Sequence, residues 1–306
     1  MTVPRCLVLL AAYKGELHIK EQLESILSQQ GVDLTILVGD DASPDATVSI
    51  AGKLDHLGRV QVRPYNSGSG SAAQNFIRLI GEADSSDFDY VALSDQDDIW
   101  MQDKLRRATH MLAHSGAGGY SSSVIARWSD GKERVLRQSS KARAADFLFE
   151  GAGQGCTFVL TRVLFQKMQM HLAAKPHVAR QLIYHDWAIY ALARCLDERW
   201  IFDDRPSLWY RQHAGNDTGA RLSLAGLKKR LQLLRNRQYR AQVRAISELC
   251  TDLVSTIAPV QEWIRLDAGG DGIHQRLGKA ALSLRHGRRR RLDRILTTLA
   301  ILANWV

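Results

Sequence analysis

The residues of this 306-residue chain best suited to chemistry are Asp95, Asp97 and Asp98, which follow the apolar run Tyr90-Val91-Ala92-Leu93-Ser94 and precede Trp100. Apolar residues without polar alternation, stopping at Ser94, spell a fully buried strand, so the acids sit at a strand's carboxyl end. In an open α/β sheet that edge is where ligands bind. Clustered carboxylates there repel one another unless a cation or a proton intervenes, and a hard divalent metal carrying phosphate oxygens meets that need. An isolated Asp-x-Asp is more often a solvated acidic turn, so the pattern gains weight only from its surroundings.

A second acidic strand end supplies them. Asp40 and Asp41 follow the run Leu34 to Val38, and the pair is suited to accept hydrogen bonds from the base or ribose of a nucleotide diphosphate held through a metal. Other phosphate-binding devices are missing. Ala11-Ala12-Tyr13-Lys14-Gly15 follows the first strand with no GxGxxG, and no GxxxxGK[ST] follows any strand. The loop Asn66-Ser67-Gly68-Ser69-Gly70-Ser71 opens a helix and can approach phosphate closely, although a plain connecting loop has the same composition.

The elements that position these residues read as a strand and helix alternation. Cys6 to Ala11 is the first, central strand; Ile19, Leu23, Ile26 and Leu27 recur at helical spacing up to Gly31. Leu34 to Val38 is the second strand. Ser43 as N-cap with Pro44 at the first helical position opens the next helix, with Thr47, Ile50, Leu54 and Leu57 as its buried stripe. Val60 to Arg63 is a third strand, and Phe76, Ile77 and Ile80 mark the helix before the acidic strand. Such alternation specifies an α/β fold, a mainly parallel sheet with helices on both faces.

Further along, 129–145 is polar, basic and weakly periodic, as expected of a loop. Gly151, Gly153 and Gly155 precede the apolar run Cys156 to Leu160, allowing either close backbone approach to a ligand or a simple bend. Asp186 opens the stripe Ala188, Ile189, Leu192, Ala193, Leu196, which would hold it rigidly as a general base or use it as a helix cap. Arg211, Gln212, His213 and Asn216 after Leu208-Trp209-Tyr210 form an expected site loop, with Arg211 able to contact phosphate and His213 able to offer a nitrogen ligand. Trp100 and Trp187 admit two readings, stacking on a ligand or packing.

Beyond Gly219 the composition turns basic. Leu224, Leu227, Leu231 and Leu234 alternate with Lys228, Lys229, Arg230, Arg235 and Arg237, and helical character continues to about Ile257. After Gly269-Gly270-Asp271-Gly272, the segment Leu277 to Val306 sets Arg288 to Arg291 beside Ile295, Leu299, Leu302 and Trp305. This extension, 220–306, is expected either to lie in an anionic membrane surface or to pack as an appendage on the catalytic domain or another subunit. The net charge of +9 is concentrated there and points to an anionic partner. A hydrophobic fraction of 45% and a charged fraction of 24% are those of an ordinary globular protein. Cys6, Cys156, Cys195 and Cys250 form no CxxC pair, so neither a zinc site nor a disulfide framework is indicated and a reducing, cytoplasmic setting is expected. Neither a signal peptide nor a membrane span is read.

Taken in order, Ala12-Tyr13, Gln22-Leu23-x-Ser25-Ile26-x-x-Gln29, Gly39-Asp40-Asp41-x-Ser43-x-Asp45, Asn66-x-Gly68 with Asn75-Phe76, and Ser94-Asp95-Gln96-Asp97-Asp98-x-Trp100 resemble glycosyltransferase family 2. Gly155-Cys156-Thr157, His185-Asp186-Trp187 and Tyr210-Arg211-Gln212-His213-x-Gly215-Asn216 resemble its rhamnosyltransferase-type branch, so the likeness spans residues 6–219. The resemblance implies a GT-A fold in 1–219 and inverting transfer from a nucleotide-diphosphate sugar with Mg²⁺ or Mn²⁺ bound. It implies dTDP-rhamnose first and UDP-hexoses second as donor, and a glycan or lipid-linked acceptor in surface polysaccharide synthesis. It places Ala12, Tyr13, Asp40 and Asp41 in the nucleoside pocket and Asp95 near the ribose and the metal. Asp97 becomes the direct metal ligand, His213 a group reaching the metal or diphosphate, and Asp186 the catalytic base. The chain departs from the pattern at Lys14, where an asparagine is usual, and at Gln74, where many relatives carry a basic residue. Two other classes compete: a sugar-phosphate nucleotidyltransferase, which lacks its basic glycine-rich loop here, and a nucleic-acid-binding protein, whose interleaved aromatics are missing from the basic tail.

Overall fold

The computed structural model describes residues 3–55, 58–138, 141–212, 238–254 and 257–306. Its first half alternates as β1 (Arg5–Ala12), α1 (Ile19–Leu27), β2 (Asp33–Asp40), α2 (Thr47–Lys53), β3 (Val60–Pro64), α3 (Ala72–Glu82), β4 (Tyr90–Ser94), β5 (Ile99–Trp100) and α4 (Lys104–Ser115). There follow β6 (Gly119–Trp128), β7 (Glu133–Leu136), β8 (Val159–Thr161), α5 (Arg162–Ala174), α6 (Pro176–Ala179), α7 (His185–Cys195) and β9 (Trp200–Gln212). The carboxyl-terminal helices are α8 (Gln238–Cys250), α9 (Ala258–Ala268), α10 (Ile273–His286) and α11 (Arg291–Leu302).

The strands form one sheet in the order β3-β2-β1-β4-β8-β6-β9-β5, with β7 paired to β6. From β3 to β4 every pairing is parallel, as the alternation requires. Beyond β4 the sheet is mixed: β8 runs antiparallel to β4 and β6, β6 and β9 are parallel, and β5 is antiparallel to β9. Thus the parallel sheet expected from the sequence holds for the first half only, because the later strands are not joined by the repeated crossover helices that enforce parallel pairing.

Residues of β1 explain why its sequence is continuously apolar. Leu7, Leu9 and Ala11 enter one core with α3, α5, α7 and the terminal helices, whereas Cys6, Val8, Leu10 and Ala12 enter the other with α1 and α4. Side chains alternate across a strand, so a strand covered on both faces loses its polar register. The terminal helices are not a loose appendage: Val243, Ile246, Trp263, Leu282 and Ile301 belong to the same core as Leu9 and Phe76. The expected boundary at 219/220, the basic helix around Leu224 to Leu234 and Leu57 lie outside the described residues.

Two local expectations are corrected. Ser43 does not cap α2, which starts at Thr47; its hydroxyl donates to Asp40 Oδ1 at 2.5 Å and accepts from the Lys14 N–H at 2.9 Å. The 129–145 stretch is partly a β6–β7 hairpin, turning at Gly131 with φ +82°, and β7 is so exposed that no periodicity marks it.

Candidate active site

Parallel pairing puts the carboxyl ends of β2, β1 and β4 on one edge, with Ala12 level with Asp40 and Leu10 level with Ser94. Asn75 from α3 fastens two of these ends together, donating to the Gly39 carbonyl at 2.9 Å and the Ala12 carbonyl at 3.4 Å. Gly39 must be glycine, since a Cβ there would lie 2.6 Å from Leu79.

The acidic loop after β4 is held by Gln22 and Ser25 of α1 and by Gln29 just past its end. The Gln22 amide meets Ser94 Oγ at 2.6 Å, Ser25 Oγ accepts from the Trp100 N–H at 3.0 Å, and Gln29 donates to the Met101 carbonyl at 2.8 Å and accepts from the Leu105 N–H at 3.0 Å. The spacing i, i+3 puts Gln22 and Ser25 on one helix face. Gln96, which the sequence reading passed over as the spacer between two acids, brackets Tyr13: its amide accepts from the Tyr13 N–H at 2.8 Å and donates to the Tyr13 carbonyl at 2.9 Å. Its only signal was its place inside Asp-Gln-Asp. Tyr13 itself is half exposed on this edge, while Ala12 is buried beneath it.

Asp40 and Asp41 are both buried and both committed to protein. Asp40 accepts from the Ser43 hydroxyl and N–H, the latter at 2.8 Å. Asp41 accepts from the Ser69 N–H at 2.7 Å and its hydroxyl at 2.9 Å, with Arg78 3.6 Å away. The pair expected to be free for base or ribose pins the 41–43 turn and the serine- and glycine-rich loop. Asn66 of that loop is exposed, and Ser69 makes the contact instead. Arg211 donates from Nε to the Asp97 carbonyl at 3.0 Å and pairs with Glu21 at 2.7 Å, so it clamps the acidic loop, where a phosphate contact was expected.

Among the described residues one group of candidate metal-ligating side chains stands out: ligand atoms of Asp95, Asp98 and Cys156 all lie within 4.8 Å of one another. Asp97, the expected direct ligand, is not in that cluster. Burial, reinforced by the neighbouring Asp95 and Asp97 charges, pushes the Asp98 carboxyl well above the usual carboxylate range. Burial likewise raises the Cys156 thiol, which stays protonated beside Asp98 and leaves the oxygens as the hard donors. Lys104 is the nearby cation; its Nζ lies 3.1 Å from the centre of the Trp100 ring and makes no hydrogen bond among the described residues. Burial pushes Lys104 down to about 7. Two converging carboxylates, Asp95 and Asp98, beside a lysine whose charge burial disfavours suit a divalent cation, which relieves the repulsion.

Asp186 lies in the first turn of α7, next to this cluster through the short turn Gly155–Thr157. A Cβ at Gly155 would fall 3.1 Å from Asp186 Cβ and 2.6 Å from His185 Nε2, while the following residue is Cys156 of the acidic cluster. His185 stacks on Phe76 with ring centres 4.0 Å apart, and enclosure pushes it down to about 3, so it is a neutral spacer. Gly151 packs in the same way, its missing Cβ 3.1 Å from Trp187 Cα. Both tryptophans resolve as packing: Trp187 is buried and donates from Nε1 to the Phe147 carbonyl at 2.6 Å, and Trp100 is buried over Lys104. Gln74, one of the departures, donates to the Ala179 and Leu182 carbonyls at 3.1 and 2.9 Å, bracing the approach to α7. His213 lies outside the described residues, one position past the end of β9.

Residues 7–170 match the model of glycosyl transferase family 2, more than half of the chain. The chain belongs to that family. It is 33% identical over 304 residues to a dTDP-rhamnosyl transferase, RfbG, of Shigella flexneri, covering 96% of this chain and 99% of the relative. A shorter likeness, 33% over 116 residues, covers 38% of this chain and 32% of the succinoglycan biosynthesis protein ExoO of Rhizobium meliloti. In fold it is similar to TarS of S. aureus, solved with UDP-GlcNAc, at TM-score 0.56 and 14% identity, with 98% of this chain and 91% of that one covered. It is also similar to the mannosyltransferase PcManGT of Pyrobaculum calidifontis, solved with GDP-Man and Mn²⁺, at TM-score 0.54 and 18% identity, covering 99% and 87%. The fold is GT-A with added terminal helices, and the protein is a glycosyltransferase. That assignment sets aside the nucleotidyltransferase and nucleic-acid-binding alternatives.

Proposed function

We propose that this glycosyltransferase moves rhamnose from dTDP-rhamnose, with inversion and with a divalent cation bound, to a hydroxyl of a glycan or lipid-linked acceptor in surface polysaccharide synthesis. The observation that carries the reading is the Gly155–Thr157 turn, which touches Asp186 at one residue and the Asp95–Asp98 cluster at the next. A base and a leaving-group site belong on opposite sides of one anomeric carbon in an inverting transfer. The dTDP-rhamnosyl transferase likeness over nearly the whole chain supports the donor, and the succinoglycan relative supports the polysaccharide setting.

In this reading Asp186 takes the proton of the acceptor hydroxyl as its oxygen attacks, and the first turn of α7 keeps the carboxylate in place. Asp95 and Asp98 would hold the cation, with Asp97 and His213 as further donors; when bound, the cation would offset charge on the departing diphosphate. Ala12, Tyr13, Asp40 and Asp41 form the nucleoside side of the pocket, the two acids acting through the loops they pin. The free, buried cysteines suit a reducing compartment, and we place the enzyme in the cytoplasm.

The test is turnover of dTDP-rhamnose against UDP- and GDP-sugars, after chelation and after return of Mn²⁺ or Mg²⁺. Release of dTDP that needs metal and that Asp95→Asn abolishes is the expected result. Undiminished turnover in chelator, or preference for a UDP-hexose, would overturn the metal or the donor assignment respectively.

A further inference from the structure

The last two helices bury part of their apolar surface, Ala280, Leu282, Ala300 and Ile301, and leave a second apolar set exposed. On α11 the buried residues are Asp293, Thr297, Ala300 and Ile301, whereas Leu292, Ile295, Leu299 and Leu302 are exposed, Leu292 at 66% and Leu299 at 55%. On α10 the pattern repeats: Lys279 and Ser283 are buried, and Ile273, Leu277 and Leu284 are exposed. The buried polar groups have partners that account for their position. Lys279 pairs with Asp267, and Thr297 Oγ1 donates to the Asp293 carbonyl at 2.9 Å. Single exposed leucines need no account, but a stripe at spacings of three, four and three on α11, with a second on the helix packed beside it, does.

Charge selects the occupant. From Ile273 to Val306 the sole acidic residue is Asp293, and it is buried. Arg285 and Arg291 are exposed at the junction of the two helices, while Arg289 turns inward. A cationic, acid-free rim around an apolar face complements anionic headgroups over hydrocarbon. A second copy of the chain would bring the same arginines, and these two helices would offer them only the buried carboxylate of Asp293. The two helices, 14 and 12 residues long, extend about 21 and 18 Å, short of the about 30 Å needed to cross a bilayer.

We propose that α10 and α11 lie in the plane of an anionic membrane surface, their outer leucines among the acyl chains and Arg285 and Arg291 at the headgroups. This inference goes beyond the transfer reading and does not depend on the sugar moved. The contact also reaches the site: Arg289, between the two helices, pairs with buried Asp146 at 2.9 Å, and Asp146 accepts from Tyr190 at 2.9 Å and Arg194 at 2.8 Å, both on α7 behind Asp186. Docking therefore fixes the orientation of the Asp186 helix to the bilayer.

The experiment is flotation of the full chain with phosphatidylcholine–phosphatidylglycerol vesicles and with phosphatidylcholine vesicles alone. Expected is binding to the anionic vesicles only, weakened by salt, lost in Leu292→Glu/Leu299→Glu and about thirtyfold weaker in Arg285→Gln/Arg291→Gln. Circular dichroism checks that each variant is folded, and the arginine pair, already exposed, keeps the test decisive if the leucine pair does not fold. Absent binding by the wild-type chain, equal binding by the folded variants, or a dimer that the leucine variant turns to monomer without change in flotation would each overturn the proposal.

Discussion

Gly155→Ala isolates the contact on which the active-site reading depends. Gly155 has ordinary backbone geometry, so the substitution acts only through the added methyl, 2.6 Å from His185 Nε2 and 3.1 Å from Asp186 Cβ. An ordinary contact needs about 3.5 Å, so the imidazole must retreat by about 1 Å. It is not free to swing, because its ring is stacked on Phe76 at 4.0 Å. The strain passes to the first turn of α7 and displaces Asp186. A displacement of about 1 Å at a catalytic group costs about a hundredfold in rate, and overpacking of this kind costs about 1–3 kcal/mol in stability. Steady-state transfer with dTDP-rhamnose, dTDP binding by calorimetry and urea unfolding separate the effects. The expected result is a kcat loss near that size with nucleotide affinity intact, since the atoms nearest the added methyl belong to His185 and Asp186, and partial recovery in Gly155→Ala/His185→Ala. A folded Gly155→Ala enzyme with kcat within a factor of two of wild type, or one that loses dTDP affinity in proportion, would refute the reasoning.

Asp186→Asn keeps the shape and removes the proton acceptor, so kcat should fall by about 10²–10⁴ while dTDP affinity stays constant; unchanged kcat would move the base elsewhere. Asp146→Asn leaves Arg194 and Arg289 partly buried around a neutral amide, and urea unfolding should show a loss of about 3–5 kcal/mol, where a loss under 1 kcal/mol would contradict the pairing described. Lys104 binds fewer protons folded than unfolded from about 7 up to its ordinary value, so stability should rise with pH across that window by at most about 1.4 kcal/mol per unit. Lys104→Met should lack that increment, and parallel pH–stability curves for the two proteins would disprove it.

The sequence by itself determined the first half of the fold and the address of the site. Cys6 to Ala11, Leu34 to Val38 and Val91 to Leu93 are strands buried on both faces, so their composition announces them, and crossover helices force their acidic ends onto one edge. The motif residues Gln22, Ser25, Gln29 and Asn75 were legible as a pattern, but not as the hydrogen bonds that fasten the acidic loop. What only the tertiary structure decided was the use of each polar group once its neighbours were known. Asp40 and Asp41 hold loops, Arg211 clamps a carbonyl, Trp100 and Trp187 pack, Lys104 lies over Trp100, and Cys156 joins the acids from a distant segment. Local sequence fixes where an apolar face points through its period, whereas a carboxylate or guanidinium takes whichever partner the chain brings within about 3 Å, and partners such as Ser69 of Asp41 or Arg211 of the acidic loop lie far away in sequence. For the same reason the sequence left the leucines of α11 between a membrane-facing and a packed reading, and only the fold showed that Leu292, Ile295, Leu299 and Leu302 are exposed.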